Sequence, residues 1–455
     1  MRILLFCAII LFSVSPIFAN VINVPGEYAT IQAGIDAAVN GDTVLVAPGE
    51  FAGSLFIDKN ILLTSAHGPD STFYTGAIQF GSSIDTTCKV RGFNISNIFP
   101  PTIEISGVSP IIESNKINGS LSISLDNSNA IIRGNIIDGN YTMGGSIIVA
   151  NAGYPIFENN IISNNSSSIT DGWVAGVGIH FDSGIIRRNL IFHNYAGTAF
   201  GAASGAGIFK DPRGGCEIYN NTIAQNSAST YRGLCYCSGV HLYLDQYDTL
   251  VVFKNNIVAF NINCGYGGGV CVYNPDSVTM DWDYNLMYGN SNPDEPFGPH
   301  DILIDPLFVD TASGNYHLLP NSPCIDAGDP SFPLDPDSTR CDIGAYFFDQ
   351  TVGIDDPGPT EPYQFALSQN YPNPFNAQTT ISYCLDKPAT VSLRICAITG
   401  QVVANLTDRE TQTAGEHRII WDGTDRRGAS VSTGIYFYEL YVDGYHESKA
   451  MILIK

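Results

Sequence analysis

The unit Asn-x-Ile-x-x-Asn recurs along the middle of this 455-residue chain, and no other feature constrains the fold as much. It stands at Asn135-Ile137-Asn140, Asn160-Ile162-Asn165, Asn189-Ile191-Asn194, Asn221-Ile223-Asn226, Asn256-Val258-Asn261 and Asn285-Met287-Asn290, after a degenerate copy at Asn115-Ile117-Ser120. The first Asn advances by 20 to 35 residues per copy, so a constant core motif is joined by loops of variable length. A second short strand enters most repeats through glycine, at Gly178, Gly207, Gly239 and Gly269. Short β-branched strands with Gly and Asn corners and almost no helical periodicity predict coils stacked in parallel, about 4.8 Å apart, with Ile and Val in continuous inward ladders. Asn135, Asn160, Asn189, Asn221, Asn256 and Asn285 are expected to be structural corners. Asn tolerates left-handed backbone angles, and its amide can bond the same amide one coil on.

Open ends of such a stack need covering. Residues 28–41 read as a short amphipathic helix with Ile31, Ile35, Ala38 and Val39 on one face, closed by Gly41, which would plug the first coil. Ahead of it, residues 1–19 carry Arg2, an apolar run from Ile3 to Phe12 and a small residue at Ala19, the pattern of a secretory signal peptide. No later stretch is long and apolar enough to span a bilayer, so the chain is not expected to be transmembrane. A formal charge of −23 repels phosphate backbones and anionic membrane surfaces, which argues against nucleic acid as a partner.

The phrase TIQAGIDAAVNGDTVLVAPGEF and the repeated NNTIAQN-type units resemble the pectin lyase-like superfamily of right-handed parallel β-helix proteins. The segment 305–349 is similar to the tail that closes many bacterial members. The resemblance implies an all-β fold, a right-handed parallel β-helix solenoid over residues 20–349 with a short N-terminal capping helix. It leaves function open, because that superfamily mixes lyases, hydrolases, adhesins and surface proteins.

Residues 350–362 are polar and rich in Pro and Gly, as a linker is. The alternating strands of residues 363–455 predict a small Ig-like antiparallel β-sandwich. NYPNPFN (370–376), WDGTDRRG (421–428), STGIYFYEL (432–440) and KAMILIK (449–455) resemble the FlgD-like Ig-like module and the type A C-terminal sorting domain of type IX secretion. That resemblance implies outer-membrane secretion machinery as a partner, and a secreted, extracellular or outer-surface location.

With Ile179, Ile208, Val240 and Val270 facing inward, His180, Phe209, His241 and Cys271 form one outward row, and Asp182, Asp211, Tyr243 and Tyr273 the next. Lys210 and Arg213 add positive charge nearby. Three 13-residue connections, 165–178, 194–207 and 226–239, emerge on one edge and carry Trp173, Tyr195, Phe200, Tyr231 and Tyr236; Tyr266 lies in a shorter one. Aromatic faces beside carboxylates, amides and imidazoles suit a sugar chain, so Trp173, His180, Asp182, Asp211, Tyr231, His241, Tyr243 and Tyr273 are the candidate carbohydrate-binding residues. The alternative is that the loops pack on the coil and hide its edge. Catalysis on this fold needs a base beside calcium-binding carboxylates, or two carboxylates flanking a glycosidic bond. Asp182 and Asp211, with Lys210 or His180 as proton carrier, are the candidate catalytic set for a polysaccharide lyase or glycoside hydrolase acting on an acidic glycan. The polygalacturonase-type motifs are missing, and a non-catalytic surface protein that binds polysaccharide is the preferred reading.

Removal of Cys7 with the signal leaves ten cysteines. Cys235 with Cys264, and Cys324 with Cys341, are the expected pairs, whereas Cys235 and Cys237 stand too close to join each other. Asp326, Asp329, Asp335, Asp337 and Asp342 resemble a loose calcium loop without the Gly and Glu of an EF-hand, and turn capping is favoured over calcium. No cofactor is required by this reading.

Overall fold

The structure, a computed structural model, describes residues 19–350 apart from 98–100, 121, 264, 266–268, 275–277 and 292–297, and residues 365–453 apart from 369, 374, 386–387, 398–401 and 443–444. Residues 1–18 of the expected signal peptide, most of the expected linker, Cys264 and Tyr266 lie outside the described residues.

Parallel strands stack into three long sheets of eleven, ten and nine strands. One coil shows the path. The chain runs through Ile131–Arg133 in the eleven-stranded sheet, Ile136–Asp138 in the ten-stranded sheet, Tyr141–Thr142, and Ile148–Asn151 in the nine-stranded sheet. It then returns at Ile156–Glu158, in register with its starting strand. Ile132, Phe157, Ile186, Ile218 and Phe253 follow one another inward along the eleven-stranded sheet, all fully buried. Nonpolar burial of this continuous column is the main drive for stacking.

Two buried amide ladders fix the corners on either side of the ten-stranded sheet. In the first, the Nδ2 of Asn135, Asn160, Asn189, Asn221 and Asn256 each donates to the Oδ1 of the next Asn at 2.9–3.2 Å, ending on Asn285. In the second, Asn140, Asn165, Asn194, Asn226 and Asn261 do the same as far as Asn290. The other amide proton reaches a carbonyl of the preceding coil, as from Asn189 to Phe157 O at 2.9 Å. The left-handed backbone expected of these asparagines belongs instead to the residue before each one. Asn159, Arg188, Asn220, Asn255 and Tyr284 have φ of 52–60°, as do Asn164, His193, Gln225 and Phe260 before the second ladder. The ladder Asn is therefore selected for its amide, and the turn is made one residue earlier.

Each ladder amide donates forward, so the last needs a partner that only accepts. Asp301 supplies it, with Oδ1 receiving the backbone N–H of Asn285 at 2.8 Å and its Nδ2 at 3.2 Å. At the other end, helix α1 (Ile31–Ala37) is capped by the Thr30 hydroxyl, and Ile31, Ile35 and Ala38 are buried against the first coil. Val39, expected on the same face, is half exposed because the helix ends before it. Segment 305–349 does not plug the far end. Tyr316, Leu318, Cys324 and Ile343 pack sideways on the outward apolar residues of the ten-stranded sheet, among them Leu190, Phe192, Ala224, Ile257 and Leu286.

Residues beyond the linker form antiparallel sheets of three and four strands around Phe375, Tyr383, Trp421 and Tyr438. Asn189→Ala should strand two amide protons of Asn160, one on Nδ2 and one on the backbone, in a dry corner, and leave the Asn221 oxygen only the backbone N–H of residue 189. The expected loss is roughly 3 kcal/mol or more, read from urea unfolding; a loss within about 0.5 kcal/mol, the range of surface substitutions, would show that the ladder is not a stabilising element.

Candidate functional site

The three 13-residue connections are strands rather than loops. Tyr141–Thr142, Ser166–Ile169, Tyr195–Thr198, Ser227–Thr230 and Ile262–Asn263 form a five-stranded parallel sheet, and Trp173–Ala175, Ala202–Ser204 and Leu234–Cys235 a three-stranded one. Together they widen the coil into a lobe whose interior holds Val174, Ala196, Ala203 and Ala228. Glycine lets the lobe close against the nine-stranded sheet. Gly176 has φ +60°, and a Cβ there would meet the Cβ atoms of His180 and Phe209 at 2.8 Å.

In the re-entrant corner thus made, His180, Phe209, His241 and Cys271 stand in register as one outward row. The Phe209 ring is set edge-on between the two imidazoles at 5.0 and 5.1 Å, and the indole of Trp173 meets it edge-on from the lobe at 5.7 Å. Phe209 and His241 are buried there, whereas Trp173 keeps 53% of its surface. Cys271 is joined to Cys237, and this disulfide ties the lobe to the sheet.

His180 bridges three coils. Ser146 Oγ donates to Ala175 O at 2.6 Å, so it accepts from His180 Nδ1 at 3.2 Å, and His180 Nε2 meets Asp211 Oδ2 at 3.0 Å. That contact, with Arg213 and Lys210 nearby, holds the Asp211 carboxyl below the usual range despite partial burial. His241 is hydrogen-bonded to Ser204, and burial lowers its pKa to about 4, so the ring is neutral. Beyond Asp211 the outward row continues to Tyr243 and Tyr273, whose rings stack at 4.9 Å and 5°. Tyr273 is half exposed.

The proposed proton carriers fare differently. Lys210 shares its register position with Phe181 and Leu242, which points it into the solenoid rather than to the surface. It is fully buried, with Nζ 2.7 Å from Asp248 Oδ1, itself without exposed side-chain surface. Asp248 also accepts the backbone N–H groups of Gly214 and Asp245. Asp182 is buried at its strand end and accepts from the Ala152 N–H at 3.1 Å. Lys210 and Asp182 thus leave the candidate catalytic set, and His180 and Asp211 remain near the surface. Tyr231 lies apart, beside Tyr195 on the five-stranded sheet.

The chain engages each of the tail aspartates, although the buried Oδ1 of Asp326 has no hydrogen-bond partner. Asp329 pairs with Lys254 at 2.9 Å and caps Ser331, Asp335 accepts the Asp342 N–H, Asp337 caps Thr339, and Asp326 accepts from Gln350. Among the described residues no group of three or more His, Cys, Asp or Glu is arranged to hold a metal. Cys324 and Cys341 are free buried thiols, contrary to expectation, and Cys341 Sγ instead receives the Asn255 amide at 3.7 Å. Cys235 is disulfide-bonded.

Ser146, Ser204 and Asp248 are the residues sequence reasoning missed. Each reaches its partner across coils of unequal length, 34, 37 and 38 residues away in the chain, so no constant spacing marks them.

Geometry and comparison agree on the class of architecture, a right-handed parallel β-helix. Residues 76–246 match the family described as right-handed beta helix region, and residues 373–444 match the FlgD Ig-like domain. No curated protein and no solved structure matches the chain. A β-helix of this kind fits a surface or carbohydrate-related protein, and no helix among the described residues is long and apolar enough to cross a membrane.

Asp248→Ala should strand the Lys210 ammonium in the core, at a cost of roughly 3–5 kcal/mol. Lys210→Met should cost less, because Asp248 keeps two backbone donors; equal and small losses in chemical unfolding would remove the pair from the fold's essential contacts.

Proposed function

We propose that this is an exported, non-catalytic surface protein whose lobed β-helix binds a polysaccharide at the corner between lobe and nine-stranded sheet. The observation that carries the reading is the exposed Trp173 indole, braced on Phe209 next to a row of polar and aromatic side chains that ends in the Tyr243–Tyr273 stack. Sugar rings stack on such faces through their C–H surfaces, while Asp211 and His180 meet hydroxyls. The lyase or hydrolase reading loses support with the burial of Lys210 and Asp182. A glycoside hydrolase needs two carboxylates facing one bond, and in the described corner Asp211 is already engaged by His180.

Purified protein run through gels containing single polysaccharides should be retarded by at least one of them. Trp173→Ala should weaken that retardation roughly 3–10-fold, the worth of one aromatic contact. Retardation unchanged in Trp173→Ala and Tyr273→Ala would move the site elsewhere. Release of reducing ends or unsaturated products, abolished by Asp211→Ala, would overturn the non-catalytic reading.

The C-terminal domain is the proposed export signal, supported by its FlgD Ig-like match and the four motifs quoted above. Deletion of residues 371–455 should leave the protein in the periplasm of its native host, read by surface immunolabelling; normal surface display would end the export role.

A further inference from the structure

On the five-stranded sheet, one outward column alternates between large and small side chains with a period of two coils. Tyr141, Ser166, Tyr195, Ser227 and Ile262 stand in register along it. The large members are all exposed, Tyr141 at 49%, Tyr195 at 39% and Ile262 at 61%. A column that served only to cover the sheet would not leave every second member apolar and open to water.

The tyrosines lie flat and are held there. The hydroxyl of Tyr195 bonds Ser229 Oγ at 2.6 Å on the next coil, and its ring lies over Gly197, where a Cβ would come within 2.6–2.8 Å of the ring and hydroxyl. Tyr141 repeats the contact, with its hydroxyl 2.9 Å from Ser168 Oγ. Two coils separate the rings by about 9.6 Å along the solenoid axis. Beside Tyr195 opens a shallow depression bordered by Ser168, Thr198, Ser229, Thr230 and Tyr231. No lining residue carries a formal charge, in a chain with a net charge of −23; the Arg232 guanidinium lies 5.5 Å over the Tyr231 ring.

We infer that this face is a second saccharide-binding surface, which takes a neutral polysaccharide running along the solenoid axis with one stacked sugar per two coils. The inference rests on the polysaccharide-binding reading and adds the substrate class. Preset flat rings lose little rotamer freedom on binding, and serine and threonine hydroxyls offer hydrogen bonds without favouring a charged sugar. An acidic glycan would find no lining cation and would meet the long-range repulsion of an acidic protein.

The full chain would be run in gels containing a soluble β-glucan, xylan or galactomannan, with polygalacturonate and alginate as acidic counterparts. A neutral polymer should retard the protein. Tyr141→Ala and Tyr195→Ala should each weaken binding roughly 3–10-fold, and the double variant more. Tyr195→Phe should lose less than Tyr195→Ala, because the ring remains while its hydroxyl tether to Ser229 is gone, and matching thermal melts would show that the fold is intact. Retardation only by acidic polymers, or by neutral ones with the double alanine variant unaffected, would overturn this inference and leave the Trp173 corner standing. Silence from every polymer would overturn both.

Discussion

Two rows of asparagine amides hold this structure in register. A stack of short strands with three sides and unequal loops has few local signals to say which coil position faces which. The buried amides supply that signal, because each has an acceptor filled by the amide of the preceding coil and donors filled by the amide of the next coil and a carbonyl of the preceding one. A slip of one residue would turn the apolar ladder outward and leave the amides unpaired in a dry corner. The ladder has a direction, and Asp301, which accepts only, is chemically suited to end it.

With register held by the corners, the connection from the second ladder to the nine-stranded sheet is free to vary. In the middle coils it grows into two further sheets and a lobe, and both candidate saccharide surfaces belong to that growth. The Trp173 corner exists because glycine at position 176 lets the lobe close on the row from His180 to His241. The tyrosine column exists because the same connection stacks in register over five coils. Lys210 marks the other limit of this freedom: a charge at an inward position is kept by pairing with Asp248 and with backbone groups, so no surface function is left to it.

Much of the solenoid was legible in the chain, since period, corner residues and inward Ile positions are properties of sequence order. The outward rows were legible too, and His180, Phe209, His241 and Cys271 do stand together. Lys210 and Asp182 were misplaced for different reasons. Strand alternation from Ile208 already turns Lys210 inward, but charge suggests the surface. Asp182 is on the outward phase, yet it is buried and accepts the Ala152 N–H of the preceding coil. The cysteines show the same limit: Cys237 reaches Cys271 across coils whose offset is set by loop length, and that offset cannot be counted along the chain.

Sequence alone determined that the chain stacks, in which direction its core faces, and that a second antiparallel domain follows. These depend on hydrophobic periodicity and corner chemistry, which act between residues a fixed distance apart. Tertiary structure decided which side chains of different coils meet: that Ser146 and Asp211 bracket His180, that Trp173 overhangs Phe209, and that tyrosines two coils apart lie flat on one face. In a solenoid those meetings depend on the summed length of every loop between them, and the pattern within one repeat carries no record of that sum.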